Sequence, residues 1–193
     1  MTTSPTAPVA WPESDGIVYD RGGVRWIDVR EMTWTPPPGR DGHFHKVLER
    51  DADGAPVAFV EYLPPGVPAS AFRRHHRSVR EFFHILEGEL PNTEFADEGD
   101  ATGVALVAKR GWFADRRPGS VYGGSPDRPS GPGAVVLRGR TGPGTWAADP
   151  GYGAETVELE PGDRTPARPS APDTPGVILD RGGVTWFDTR EMD

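Results

Sequence analysis

The 193-residue chain contains no cysteine. That excludes disulfides, thiolate nucleophiles and thiolate metal sites, and it fits a reducing cytoplasm. It has no surplus of positive charge: 21 Lys and Arg stand against 29 Asp and Glu, for a net charge of −8. A chain so balanced has little with which to displace counterions from a phosphate backbone, so nucleic acid is not an expected partner. No apolar run approaches the roughly 20 residues that a membrane-spanning helix needs. Met1 to Ala10 lack the basic start and apolar centre of a secretory signal. A soluble, cytoplasmic protein without a membrane partner is the expectation. Long helices are disfavoured too, because no segment carries a sustained 3.6-residue apolar period.

What the chain has in quantity is punctuation, with 25 Gly and 22 Pro. Short strands between Gly/Pro turns predict an all-β sandwich or barrel. Candidate strands are 16–24, running into a glycine turn, then 26–32, 43–49, 56–63, 81–86, 104–109, 113–115 and 134–138. Residues 1–15 read as a flexible N-terminal arm. Residues 16–150 read as the barrel with its N-terminal β arm. Residues 151–175 read as a Pro-rich linker, and 176–193 as a C-terminal repeat of the first strand segment.

That repeat is an internal one. Gly16-Ile-Val-Tyr-Asp-Arg-Gly-Gly-Val-Arg-Trp-Ile-Asp-Val-Arg-Glu-Met32 returns as Gly176-Val-Ile-Leu-Asp-Arg-Gly-Gly-Val-Thr-Trp-Phe-Asp-Thr-Arg-Glu-Met192. Two copies at opposite ends do not make a solenoid, which needs three or more stacked units. The tail could begin a second domain, pair with the sheet of its own chain, or occupy an equivalent groove on another subunit. An arm that adds a strand to a sheet edge, within or between chains, is the favoured reading, and it suits a homodimer with exchanged β arms.

The densest chemistry lies in Arg73-Arg74-His75-His76-Arg77-Ser78-Val79-Arg80-Glu81-Phe82-Phe83-His84-Ile85-Leu86-Glu87-Gly88. Imidazole and carboxylate are ligand types for first-row metals with open positions. Adjacent His75 and His76 face opposite ways in a strand, so at most one lines a site unless the backbone bulges. His43 and His45 share a face by the same alternation, which makes them a pair for the barrel interior. His84 reads as a packed or surface histidine.

Segment 66–88 resembles the first motif of the cupin superfamily: a glycine, His-x-His, three or four residues, a glutamate, six residues and a glycine. Glu81 and Gly88 keep that last spacing, and His76 precedes Glu81 by four residues. Segment 111–124, with Gly111 and Pro118-Gly119, resembles the second motif, and the likeness spans roughly 40–140. The resemblance implies a cupin-like antiparallel β-barrel (a double-stranded β-helix or jelly roll) with the site in its mouth. In metal-binding cupins the ligands are both motif-one histidines, the glutamate and a motif-two histidine. Here Arg74 stands at the first histidine and Tyr122 at the last, leaving His76 and Glu81.

The implied catalytic residues are His76, Glu81, Arg74 and Tyr122. The implied metal ligands are His76, Glu81, His43 and His45, around a divalent Fe, Mn, Zn or Ni, or no metal. Metal-assisted oxygenase or lyase chemistry on a small molecule is the leading expectation. Metal-free lyase, isomerase or cyclase chemistry, with His76 and Glu81 moving protons and Arg74 or Tyr122 steadying an oxyanion, is the alternative. A non-catalytic binding or sensing module is the third reading.

Overall fold

Glycine and proline punctuation divides the described chain into short strands. The structure is a computed structural model whose described residues are 16–21, 24–37, 42–52, 54–67, 74–123, 131–141, 156–158 and 176–191. The strands are β1 (Ile17–Arg21), β2 (Val24–Ile27), β3 (Phe44–Arg50), β4 (Pro56–Leu63), β5 (His75–Arg77), β6 (Arg80–Glu94), β7 (Val104–Lys109), β8 (Trp112–Arg116), β9 (Tyr122–Gly123), β10 (Ala134–Thr141), β11 (Thr156–Glu158), β12 (Val177–Arg181) and β13 (Val184–Asp188). One 3₁₀ turn covers Thr189–Glu191. No helix among the described residues is long and apolar enough to cross a membrane.

Among the described residues every pairing is antiparallel, and β6 organises all but the separate β1–β2 pair. Its first half lies between β10 and β8, in a sheet of order β3-β4-β10-β6-β8-β13-β12. Its second half pairs with β7 and β9, and β9 leads on to β5 and β11. The hand-over falls at Gly88, whose φ of +75° admits glycine and little else. A Cβ there would stand 2.0 Å from the Gly133 carbonyl oxygen. The β10 register slips beside it, between Val135 and Val136, so the strand bends at a bulge and enters the second sheet. This is why the apolar run expected at 81–86 continues to Glu94.

Alternation then sets the inner face. Phe59, Leu63, Phe83, Ile85, Ala114, Val136, Val184 and Trp186 are buried from one sheet, and Leu90, Val104, Leu106, Ala108 and Tyr122 from strands of the other. Among the described residues the wall is not closed: the pairing path ends at β3 and at β11.

Other expectations shift in detail. The second strand of the N-terminal repeat ends at Ile27, because residues 29–31 form a turn. Thr156–Glu158, inside the stretch expected as linker, forms a strand on β5. The expected arm 1–15 lies outside the described residues, as do 142–155 and 159–175. The C-terminal repeat pairs within its own chain, β13 adding to the free edge of β8.

Candidate functional site

Strand parity decides which side chains of the histidine-rich stretch reach the interior. β5 is three residues long, and His75 and Arg77 are buried while His76 turns to the other face. There His76 Nε2 lies 3.1 Å from the Glu98 carboxylate. Arg74 reaches the same loop: it donates to the carbonyls of Asp97 (3.1 Å) and Glu98 (2.5 Å), and its guanidinium lies 4.4 Å from the centre of the Phe95 ring. The structure therefore parts His76 and Arg74 from Glu81. Both instead hold the 95–98 turn against the outside of the sheet.

Glu81 and Tyr122, from the two motif segments, do meet. The Tyr122 hydroxyl donates to Glu81 Oε2 over 2.5 Å. Arg140 Nε lies 2.6 Å from Glu81 Oε1, and Arg77 Nε lies 3.1 Å from the same oxygen and 3.3 Å from the Tyr122 hydroxyl. The His75 ring lies tilted against that of Tyr122, centres 4.3 Å apart, the two residues being register partners across β5 and β9. The motif-one spacing is thus satisfied one residue later than the sequence suggests: His75-x-Arg77, then three residues, then Glu81. The position that resembles the second ligand histidine carries a guanidinium, and that guanidinium rests on the carboxylate.

Two further carboxylates share the interior. Glu94, at the far end of β6, accepts from Arg116, from Trp186 Nε1 (2.7 Å) and from Asn92 (2.6 Å). Glu61 lies 3.1 Å from His43 Nδ1 and 2.6 Å from Arg138 Nε. His45 faces Glu61 across β3 and β4. So His43 and His45 do share the interior side of their strand, beside Glu61 and not beside His76. His84 packs half-buried against Phe113, their ring centres 6.3 Å apart.

The arginines are ordered by cross-strand rungs. Arg140, Glu81 and Arg116 stand opposite one another across β10, β6 and β8. The next inward rung is Phe59, Arg138, Phe83, Ala114 and Trp186. Guanidiniums therefore stack on rings: Arg116 lies 4.0 Å from the Tyr122 ring centre and 4.2 Å from that of Phe83, and Arg138 lies 4.2 Å from Phe83 on its own side. Such cation–π stacking is strongest where water is excluded. Sequence reasoning missed Arg77, Arg116, Arg138, Arg140, Glu61 and Glu94. The available signal was parity: Arg138 and Arg140 continue the inward set begun by Val136.

Burial alone would raise the Glu81 pKa. Arg77 and Arg140, the Tyr122 hydrogen bond and Arg138 overcome it and hold the group well below the usual carboxylate range. Burial lowers Arg140 to about 10 against the pull of Glu81, so it remains a cation at neutral pH. Burial and the Glu81 charge both raise Tyr122, which keeps its proton. Burial pushes Glu94 up despite Arg116. It pushes His45 down, with Glu61 opposing.

This donor set does not fit the divalent metal that the resemblance implies. The Glu81 oxygens are engaged by two guanidiniums and a phenol, and a metal ion there would be repelled by Arg77 and Arg140. Among the described residues no three His, Asp or Glu side chains are placed to hold a metal ion.

No family model matches the chain, and no curated protein matches it. Solved structures do. The ethanolamine utilization protein Q candidate of Salmonella typhimurium LT2 is 21% identical, with a TM-score of 0.46 over 64% of this chain and 90% of that one. CENP-C of Drosophila melanogaster, solved bound to CAL1, is 14% identical, with a TM-score of 0.42 over 59% and 85%. Oxalate decarboxylase from Bacillus subtilis is 16% identical, with a TM-score of 0.36 over 70% of this chain. The chain spans only 27% of the length of that enzyme. The fold of the described residues is itself antiparallel and all-β.

Proposed function

We propose that the chain is a metal-independent, cupin-like module that binds a small organic anion among its interior arginines. The supporting observation is a cluster of interior guanidiniums, Arg77, Arg116 and Arg140 buried and Arg138 half-buried. Arg77, Arg116, Arg138 and Arg140 stand with three carboxylates, and Arg116 Nη1 is buried without a hydrogen-bond partner among the described residues. A guanidinium presents five donors in a planar fork, which suits a carboxylate. Arg77 supplies on Glu81 the positive charge that a metal would supply, so the site is neutralised from within the chain.

The test is calorimetric titration of the full-length protein with small mono- and dicarboxylates and with their neutral amide analogues, with and without a chelator. The expected result is binding of acids over amides by at least about tenfold, one charge-assisted hydrogen bond in magnitude, unchanged by the chelator. Equal binding of acid and amide, or binding that the chelator abolishes, overturns the reading.

A second reading, turnover by proton transfer, draws on the 2.5 Å bond from Tyr122 to Glu81. Tyr122 holds its proton through the neutral range, so it serves as an acid and not a base. Tyr122→Phe would then stop turnover of a bound acid while leaving its affinity within a few-fold.

A further inference from the structure

The C-terminal hairpin occupies a defined groove, and the contacts that hold it can be named. β13 pairs along β8 from Val184 opposite Arg116 to Asp188 opposite Trp112. Val184 and Trp186 are wholly buried, and Trp186 Nε1 donates to Glu94. Arg181 pairs with Asp100 at 2.7 Å. At the turn, a Cβ on Gly182 would lie 2.0 Å from the Phe95 carbonyl oxygen, and one on Gly183 2.8 Å from Ser120 Oγ, so only glycine passes.

The N-terminal repeat carries the same residues at the same places: Arg21, Gly22, Gly23, Val24, Trp26 and Asp28 correspond to Arg181, Gly182, Gly183, Val184, Trp186 and Asp188. The differences fall mostly where the C-terminal copy faces away from the groove. Thr185, Phe187 and Thr189 are half-buried or exposed, and Arg25, Ile27 and Val29 replace them. The one buried exchange is Leu179 for Tyr19. The N-terminal copy also folds as the same hairpin, with β1 and β2 sharing the register and the bulge of β12 and β13. Its own surroundings do not use these residues in the same way. β1 and β2 form a two-stranded sheet by themselves, and Trp26 is 65% exposed.

From this we infer that the N-terminal hairpin is a second occupant for the β8 groove, taken up by another copy of this chain. One molecule's β2 pairs with its partner's β8, and Trp26 enters against Glu94 in place of Trp186. Reciprocal insertion gives a twofold dimer. The displaced C-terminal hairpin remains tied to β10 through residues 142–175. In the groove the exchange replaces each buried contact with one of the same kind except Tyr19 for Leu179, and it gives up the Arg25 bond to the Leu48 carbonyl, so its free-energy difference is that of a few contacts, as in other exchanges of equivalent elements between protomers. Occupancy is then set by protein concentration against the effective concentration that the tether gives the chain's own hairpin.

The absence of cysteine makes the test clean. Two full-length preparations carry Arg25→Cys and Asp115→Cys; Arg25 is the counterpart of Thr185, which stands opposite Asp115. The two are mixed and treated with a short bismaleimide. The expected result is a cross-linked heterodimer well above what either preparation forms alone. Trp26→Ala in the first chain, an exposed position that does not threaten folding, lowers the yield at least about tenfold, as truncating an anchoring tryptophan does. Trp186→Phe in the second chain raises it by weakening the resident hairpin. No excess of heterodimer, or a yield indifferent to Trp26→Ala, overturns the inference. So does cross-linking confined within single chains that carry both cysteines, which would mean docking in cis.

Discussion

Trp26 and Trp186 occupy the same place in two hairpins that share strand register, a closing bond and an aspartate–arginine clasp. Asp28 N donates to Gly16 O over 2.8 Å, and Asp188 N to Gly176 O over 2.7 Å. Arg30 grips Asp28 through two nitrogens, and Arg190 grips Asp188 likewise. Yet Trp26 is 65% exposed while Trp186 is fully buried, hydrogen-bonded to Glu94 and faced by Arg116 at 5.3 Å. The local residues are enough to shape the hairpin. Its energetic weight comes from what lies along its other edge, since strand stability is mostly a matter of packing against neighbours.

The largest asymmetry is expected at the tryptophans. Trp186→Ala removes a buried ring and a donor to Glu94, and should destabilise by about 3–5 kcal/mol. Trp26→Ala in dilute protein should stay within about 0.5 kcal/mol of wild type, as substitutions at exposed positions do. Urea unfolding of the two variants measures both, and similar losses would mean that the first hairpin is also packed into a core. A smaller effect is expected from Glu94→Gln. It keeps an acceptor for Trp186 and Asn92 but takes the charge from Arg116, at a loss of about 1.5–3 kcal/mol. Hydrogen exchange should report that loss in β8, β12 and β13 and not in β1 and β2. Uniform loosening of both hairpins would show that Glu94 supports the fold at large and not the C-terminal dock.

Much of the fold can be read from the residues because turns and alternation are local. The limits of β4 and β7 coincide with the apolar runs between Pro or Gly residues, and the Glu81–Tyr122 meeting agrees with the motif resemblance. His75 and His76 could not be told apart in the same way. Neighbours in a strand always take opposite faces, and the parity of a three-residue strand is set by its partners β9 and β11. Residues Ser78 and Val79 break the strand before Glu81, so counting back from the glutamate carries the parity across a bend. The interior arginines were obscured for a different reason. Arginine in a strand ordinarily marks the solvent face, and only the carboxylates and rings opposite, contributed by strands distant in sequence, make burial tolerable for Arg116 and Arg140.

The finest comparison concerns the two clasps. Arg30 lowers Asp28 to about 2 by side-chain and backbone hydrogen bonds, and Arg190 lowers Asp188 to about 2 through the same pair of bonds, with burial opposing in both. A carboxylate held below its unfolded value contributes stability that is present above that value, near 3.8, and lost as the pH falls through about 2. Both hairpins should therefore keep their clasps down to the same acidity, although one is docked and the other is not. Carbon-detected NMR titration of the two side-chain carboxyls should give matching midpoints. Arg30→Ala should return Asp28 toward 3.8 and leave Asp188 alone, and Arg190→Ala should do the converse. Asp188 has one neighbour that Asp28 lacks, Trp112, which stands opposite it across β13 and β8. If Asp188 stays low in Arg190→Ala, the dock and not the clasp sets its titration, and the two hairpins are equivalent in outline but not in chemistry.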